Sequence, residues 1–404
     1  MRFRGILVAV VVIAVLVGLE LGMDSVVSDS SIRNLLYFAA CNVLAALSLN
    51  VINGMAGQFS IGHAGFIALG AYTSAIVGAH LHDKIAAWQL HTTDPSEIAA
   101  FDPTFANSFI VMPICILASA IVAGAFGFLV GLPSLRLRGD YLAIVTLGFS
   151  EVVRLVISTA KLTGQETVGD AWHAVHGPGS FFHALSVSIS NLGGENGYQG
   201  TNTNGLPLYA GPFWVFGSVI VVAILAWRLK FSSWGRALRA LREDEIAAAA
   251  VGVDPTRYKV RSFVISAVGA SIAGSMLALM HDGTGSVGPG DYKMDKSFEI
   301  ITMVILGGSG SISGAIVGGL FVTFTVKFIE YFQSTSAGNL IRGPHLIGAT
   351  SFTVDLNALR MMIYAAILVA VVIRRPEGVF GEREFSFSKL VARFKRAPAE
   401  AKKA

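Results

Sequence analysis

FSSWGRALRALREDEIAAAAVGVDPTRYKV, residues 231–260, is the polar island of an otherwise apolar chain. It fills most of the stretch 229–260 between Arg228 and Arg261, with hydrophobic runs on both sides. Within it Trp234–Val251 reads as one helix: Arg236, Arg239 and Arg242 recur at i, i+3 and i+6 beside Leu238 and Leu241, and Ala247–Ala250 follow. Gly252 and Pro255 end it. A basic amphipathic helix beside a membrane can lie on anionic lipid. The acidic run Glu243, Asp244 and Glu245 argues against that, because acidic and basic turns next to an alanine face suit a protein groove better. The stretch reads as a docking surface for a soluble partner, carried by a membrane protein.

Its surroundings supply the membrane. Of 404 residues 53% are hydrophobic and 14% charged, 44 are glycine, and the mean hydropathy is +0.63. Apolar runs of about 18 residues or more read as helices that cross roughly 30 Å of hydrocarbon. Ten spans are expected: Gly5–Leu21, Leu35–Ile52, Ser60–Ala79, Phe109–Leu132, Tyr141–Ala160, Phe213–Trp227, Ser262–Met280, Phe298–Leu306, Ile312–Phe332 and Met361–Ile373. The fold class is an all-α polytopic membrane protein, although the eighth span is too short to cross alone. The first span follows Arg2 and Arg4 as a signal peptide would, but it is long and no small-x-small cleavage site follows Leu21, so it is read as retained. Cys41 and Cys115 sit in apolar runs as packing residues, without disulfide or metal-ligand spacing, and no cofactor is expected.

Lysine and arginine orient the spans, since they concentrate on the cytoplasmic side. With the N-terminus inside, 21 of the 30 fall in cytoplasmic segments and 6 outside, while Arg154, Lys327 and Arg360 lie within spans. Both termini are therefore expected in the cytoplasm. The domain organisation that follows is a transmembrane domain over 1–380, with the cytoplasmic loop 229–260 and outer loops 80–108 and 161–212, and a basic cytoplasmic tail over 381–404. The net charge of +4 calls for no nucleic acid, because the positive residues stand where anionic membrane lipid and cytoplasmic partners meet them.

Two glycine-rich segments interrupt the apolar runs, Gly54–Gly65 and Gly307–Gly314, and both are expected at cytoplasmic turns. Two readings stand side by side. Small residues permit close helix packing, and broken spans free backbone groups to line a solute path. Gln58, Ser60, Gly62, His63 and Gly65 are the candidates for the path. His63 reads either as a satisfied hydrogen-bonder or as a proton relay. Glu151 and Arg154, three apart on the fifth span, share a face and either neutralise each other or meet a zwitterionic solute. Lys327 and Glu330 repeat that spacing near the outer end of the ninth span.

RALRALREDEIAAAAVGVDPTRYKVRSFVISAVGASIAG (Arg236–Gly274) resembles the cytoplasmic loop of LivM-type permeases from ABC importers of branched-chain amino acids. Asn42–Ala75, Leu137–Val156, ILGGSGSISGAIVGG (Ile305–Gly319) and RRPEGVFG (Arg374–Gly381) are similar to that family's segments, in the family's order. The resemblance implies a type II-like ABC importer permease in a bacterial inner membrane, and not an enzyme. It also implies three kinds of partner, a second, LivH-like permease, two LivG- and LivF-like ATPases and a periplasmic solute-binding protein, beside the membrane lipid expected from the charge pattern. Glu245–Gly252 is similar to the family's ATPase-coupling motif. The coupling residues implied are Arg236, Arg239, Arg242, Glu243, Glu245, Ala248 and Gly252. The chain carries no G-x-x-x-x-G-K-[ST] phosphate loop, so hydrolysis falls to a partner.

One departure is an insertion over 165–203, where the family carries a compact Thr-Gly-Gly-x-Asn-Gly; here Thr163-Gly164 stands well before Asn204-Gly205. Permeases for urea and short amides are built similarly. An ion-coupled secondary amino acid transporter is the reading from another class, and a membrane enzyme or scaffold a third. No His, Asp and Glu set at one depth supports an enzyme.

Overall fold

Without water to satisfy its backbone, an apolar run in lipid closes its hydrogen bonds within the segment and becomes a helix. The computed structural model describes residues 2–134 apart from 93, 95, 96 and 99, then 141–160, 179, 192–200, 205–334 and short pieces at 345–347, 350–352, 366, 369–370, 373–374, 378–381 and 384. The helices are α1 (Arg2–Val26), α2 (Ser30–Asn50), α3 (His63–Leu90), α4 (Phe105–Ser134), α5 (Tyr141–Thr159), α6 (Pro212–Phe231), α7 (Ser233–Glu243), α8 (Glu245–Ala250), α9 (Pro255–Leu279), α10 (Met294–Gly307) and α11 (Ile312–Ser334). A short antiparallel hairpin pairs β1 (His345–Ile347) with β2 (Thr350–Phe352).

Six helices, α2 to α6 and α9, are long and apolar enough to cross a membrane. The described apolar stretches of α1 (Val10–Met23) and α11 (Ile312–Phe328) are shorter. Most of the tenth expected span, Met361–Ile373, and most of the 165–203 insertion lie outside the described residues. The eighth is a real helix, α10, extended to 14 residues, with its second half largely buried and Met294 and Phe298 exposed near its start. At about 1.5 Å per residue it reaches only roughly 21 Å, short of a bilayer core.

The core forms around α9, which packs against α3, α4 and α2, while α11 lies on α2 and α10. Lipid tails offer no hydrophobic gain for association, so these contacts rest on close backbone approach and polar pairs. Ser74 Oγ donates to Ser275 Oγ at 2.6 Å, and Ser275 Oγ lies 2.8 Å from Ser119 Oγ, which ties α3, α9 and α4 together. Large side chains go the other way: Phe109, Leu117, Ile121 and Leu129 of α4 point outward.

Helix ends gather at two opposite faces. One holds Arg33 against Asp282 (Nε–Oδ2 2.7 Å), Glu20 accepting from Phe213 N–H (2.8 Å), and His82 against Tyr209 (2.8 Å). The Arg33 guanidinium hydrogen-bonded to Asp282 holds that carboxyl below its ordinary range. The other face gathers Asn50, Gly54, Lys230, Arg242, Gly310 and Glu384.

Candidate functional site

The polar island folds as two helices, which corrects the single helix expected over Trp234–Val251. Asp244 takes an extended backbone (φ −152°, ψ 110°), and its carboxylate accepts from Ile246 N–H (2.9 Å) and Ala247 N–H (3.0 Å). Aspartate caps a helix start better than it continues a helix, because its short side chain competes for backbone donors. Ser232 caps α7 in the same way through Gly235 N–H, and Asp254 caps α9 through Arg257 N–H with Pro255 at its first position. Gly252 closes the turn at φ +90°, where a side chain would be strained.

α7 buries Gly235, Leu238 and Leu241, and α8 buries Ala248 alone. Trp234 stacks on Tyr258 (5.8 Å between centroids), whereas two large aliphatic side chains project: Ile246 is 84% and Val251 80% exposed. Two large aliphatic groups beside the exposed carboxylate of Glu243 make a knob, since water covers such groups at a cost that a partner's groove removes.

The three arginines separate. Residues i and i+6 stand about 120° apart around a helix, so Arg236 and Arg242 cannot share a face. Arg236 is exposed and reaches Phe231 O. Arg239 is half-buried, with its Nε unpartnered among the described residues. Arg242 turns inward, and its Nη1 donates to Gly54 O at 2.7 Å while Nη2 reaches Glu243 at 3.2 Å. Glu245 pairs with Lys259 at 2.6 Å. The knob is thus joined through Arg242 to the first glycine segment.

That segment meets the second one. Asn50 Oδ1 accepts from Gly310 N–H (2.7 Å) and Asn50 Nδ2 donates to Ser311 O (3.0 Å). A Cβ on Gly54 would stand 2.2 Å from Gly310 N. After Gly54 the chain folds back rather than simply turning. Gly62 lies against the Thr146 carbonyl, Gly65 against Ser150, and His63 Nε2 against Ser48 Oγ at 2.7 Å. Ser60 is buried and its N–H donates to Asn53 Oδ1. Gln58 is buried with both amide atoms unpartnered among the described residues. Glu151 and Arg154 form their pair (2.8 Å) at the edge of the packed face of α5, half-exposed beside the outward Val152 and Leu155. The structure therefore presses Gly62 and Gly65 against α5, the helix of Glu151, turns His63 onto α2, and leaves the charged pair half-exposed at the edge of that interface. Side chains of Ile329–Ser334 are outside the description, so the Lys327–Glu330 pairing falls there.

Sequence reasoning missed Glu384. Its carboxylate caps α11 by accepting from Ile312 N–H (2.9 Å) and Ser313 N–H (3.0 Å) and Ser313 Oγ (2.7 Å), and it pairs with Lys230 at the end of α6. Val379 N–H and Phe380 N–H donate to Leu306 O and Gly307 O. The start of the tail is thereby strapped across the turn between α10 and α11. Burial raises the Glu384 carboxyl, but the bonds from Ile312, Lys230 and Ser313 outweigh it and hold the group below its ordinary value. A depressed carboxyl contributes stability that is full above its unfolded value and lost as pH falls through the folded one. A spin label at Val379 should stay immobile from neutral pH down into the ordinary carboxylate range and loosen only below it. In Glu384→Gln it should be mobile at neutral pH. An immobile label in that variant would remove the strap.

The family described as branched-chain amino acid transport system, permease component, matches residues 31–372. The chain is similar to the high-affinity branched-chain amino acid transport system permease protein LivM of Salmonella typhimurium, 29% identical over 345 residues, covering 83% of this chain and 67% of that one. It is 24% identical over 360 residues to the probable LivM permease of Methanocaldococcus jannaschii, covering 84% and 90%. The permease LivH of Escherichia coli is 28% identical over 171 residues, 42% of this chain and 47% of that one. No solved structure matches. A match across most of the chain, from α2 past α11, joins the helix bundle, the capped knob and the glycine junction in one assignment: the chain belongs to the family of permease components of branched-chain amino acid transport systems.

Proposed function

We propose that this chain is the LivM-like permease subunit of an ABC importer that carries branched-chain amino acids through a bacterial inner membrane. The observation that carries this is the knob: a capped six-residue helix with Ile246 and Val251 in solvent, on a chain whose sequence holds no phosphate loop. The motor is then a pair of ATPase subunits, the solute arrives on a periplasmic binding protein, and a LivH-like permease stands opposite. Similarity to LivH as well as LivM supports a partner built on related helices. The face of Arg242 and Glu384 is cytoplasmic in this reading, the face of Arg33 and Asp282 periplasmic, and ten spans bring both termini inside.

Vesicles holding both permeases, the ATPases and ATP should accumulate leucine only when loaded binding protein is outside. Ion-gradient uptake by this chain alone would instead make it a secondary transporter. Urea or acetamide uptake without leucine uptake would move it to the amide branch.

Glu151 and Arg154 serve the path in this reading. The swap Glu151→Arg with Arg154→Glu keeps their mutual attraction and barely alters the helix, so assembly should be normal. Uptake should fall at least about tenfold, because a zwitterion fixes which sign stands where. Uptake near the parental rate would make the pair purely structural.

A further inference from the structure

A cavity of about 440 Å³ opens on the Arg33 and Asp282 face, enclosed by α2, α10, α11 and the connection from α9 to α10. Its floor is polar. Lys296 Nζ donates to Asn42 Oδ1 (2.9 Å) and Glu299 Oε2 (3.1 Å), and Asn42 Nδ2 donates to Thr323 Oγ1 (2.8 Å). The Lys296 and Glu299 side chains are 11% and 20% exposed. Asn42 lies twelve residues into α2, roughly 18 Å from its start, so this charged floor is set deep in the helix bundle. Such a position is expensive for ions and usually marks a solute path. One wall is apolar, made by Phe38, Leu277, Val287 and Val326. Asp291, Asp295, Lys293 and Lys327 stand around it, and α10 begins there without a side-chain cap, its positive end at the cavity.

The charges decide the occupant. An anion would avoid Glu299, Asp291 and Asp295, and a metal ion would avoid the three lysines. Paired opposite charges beside an aliphatic wall, in a space of this size, match a small zwitterion with an apolar side chain. Resting on the permease reading, we propose that this cavity, formed within this one chain, is an entry subsite for an aliphatic α-amino acid. The substrate carboxylate meets Lys296 and the start of α10, its ammonium meets Glu299 and Asp295, and its side chain lies on Phe38 and Val326. The headgroup of an ethanolamine lipid shares the zwitterion chemistry and is separated by the test.

The test uses the full reconstituted complex, with this chain carrying Cys41→Ala, Cys115→Ala and Thr284→Cys, since Thr284 is exposed on the cavity lining. A methanethiosulfonate reagent should modify the new thiol. Leucine at ten times its half-protecting concentration should slow that reaction about tenfold, and glycerol should not. In the same complex Lys296→Gln should abolish the protection while the ATPases still co-purify and hydrolyse ATP. Protection that needs ethanolamine lipid and ignores leucine assigns the cavity to lipid and overturns the proposal, as does a leucine-independent reaction in a complex that transports leucine. Failure of the unsubstituted complex to transport any branched-chain amino acid would instead refute the permease reading.

Discussion

A chain carrying Ile246→Asp is expected to insert, fold and pair with its second permease, and to drive no ATP-dependent uptake. Ile246 is 84% exposed, so the folded chain loses almost no packing when the side chain becomes charged. The complex loses more. A large aliphatic side chain at the centre of a docking surface contributes about 2 kcal/mol or more, and a buried, unpaired carboxylate in the partner's groove adds its desolvation cost. A loss of roughly 2 to 4 kcal/mol weakens ATPase binding about 30-fold to 1000-fold. Val251→Asp should act alike, being 80% exposed on the same knob. The control is Arg236→Glu, an exposed charge on α7, for which a rim position predicts a small, salt-dependent effect. Pull-down of the ATPases together with leucine uptake checks it. Full uptake by Ile246→Asp, with ATPases bound, would mean that the knob is not where they dock.

Gly62→Ala should be among the most damaging single methyl additions in the chain. A Cβ there would fall 2.0 Å from the Thr146 carbonyl oxygen and 2.5 Å from its carbon, both backbone atoms of α5. Neither can rotate away, so α3 and α5 must separate, and their separation disturbs the Gly65 contact with Ser150 one turn on. Overpacking of this kind costs about 1 to 3 kcal/mol when side chains yield, and here the backbone has to move. The matched comparison is Gly148→Ala on the same α5, where nothing stands within 4 Å of the added carbon. Detergent-solubilised Gly62→Ala should melt several degrees below the parent, by about 5 °C or more, with Gly148→Ala indistinguishable from it. Equal melting of the two variants would show that the α3–α5 contact gives way without cost.

Much of the bundle was legible in the chain because a bilayer enforces a simple rule. Apolar runs of sufficient length become helices, so nine of the ten expected spans overlap helices among the described residues, six of these long and apolar enough to cross a membrane. The helical character of the polar island was legible for a similar reason. Ser232, Asp244, Gly252, Asp254 and Pro255 carry local backbone chemistry, and local chemistry is written in sequence order. Even so, the break at Asp244 was read through, because the i, i+3, i+6 spacing of arginines is a weaker constraint than one aspartate with two backbone donors to satisfy.

Long-range partnership was not legible. Arg242 looked like part of a surface face and instead holds Gly54, 188 residues away in sequence. Glu384 looked like one more charge in a basic tail and instead caps α11 beside Lys230. Lys296 falls outside every expected span, although its i, i+3 spacing to Glu299 is the pattern noted at Glu151 and Arg154. By itself the sequence determined where helices form and how most of them begin and end, since hydrophobic length and capping act within a few turns. Only the tertiary structure decided which of several arginines faces inward, which glycines are pressed against carbonyls, and where opposite charges enclose a cavity. Those outcomes depend on which helix faces meet, and close packing selects them only when all the helices are in place.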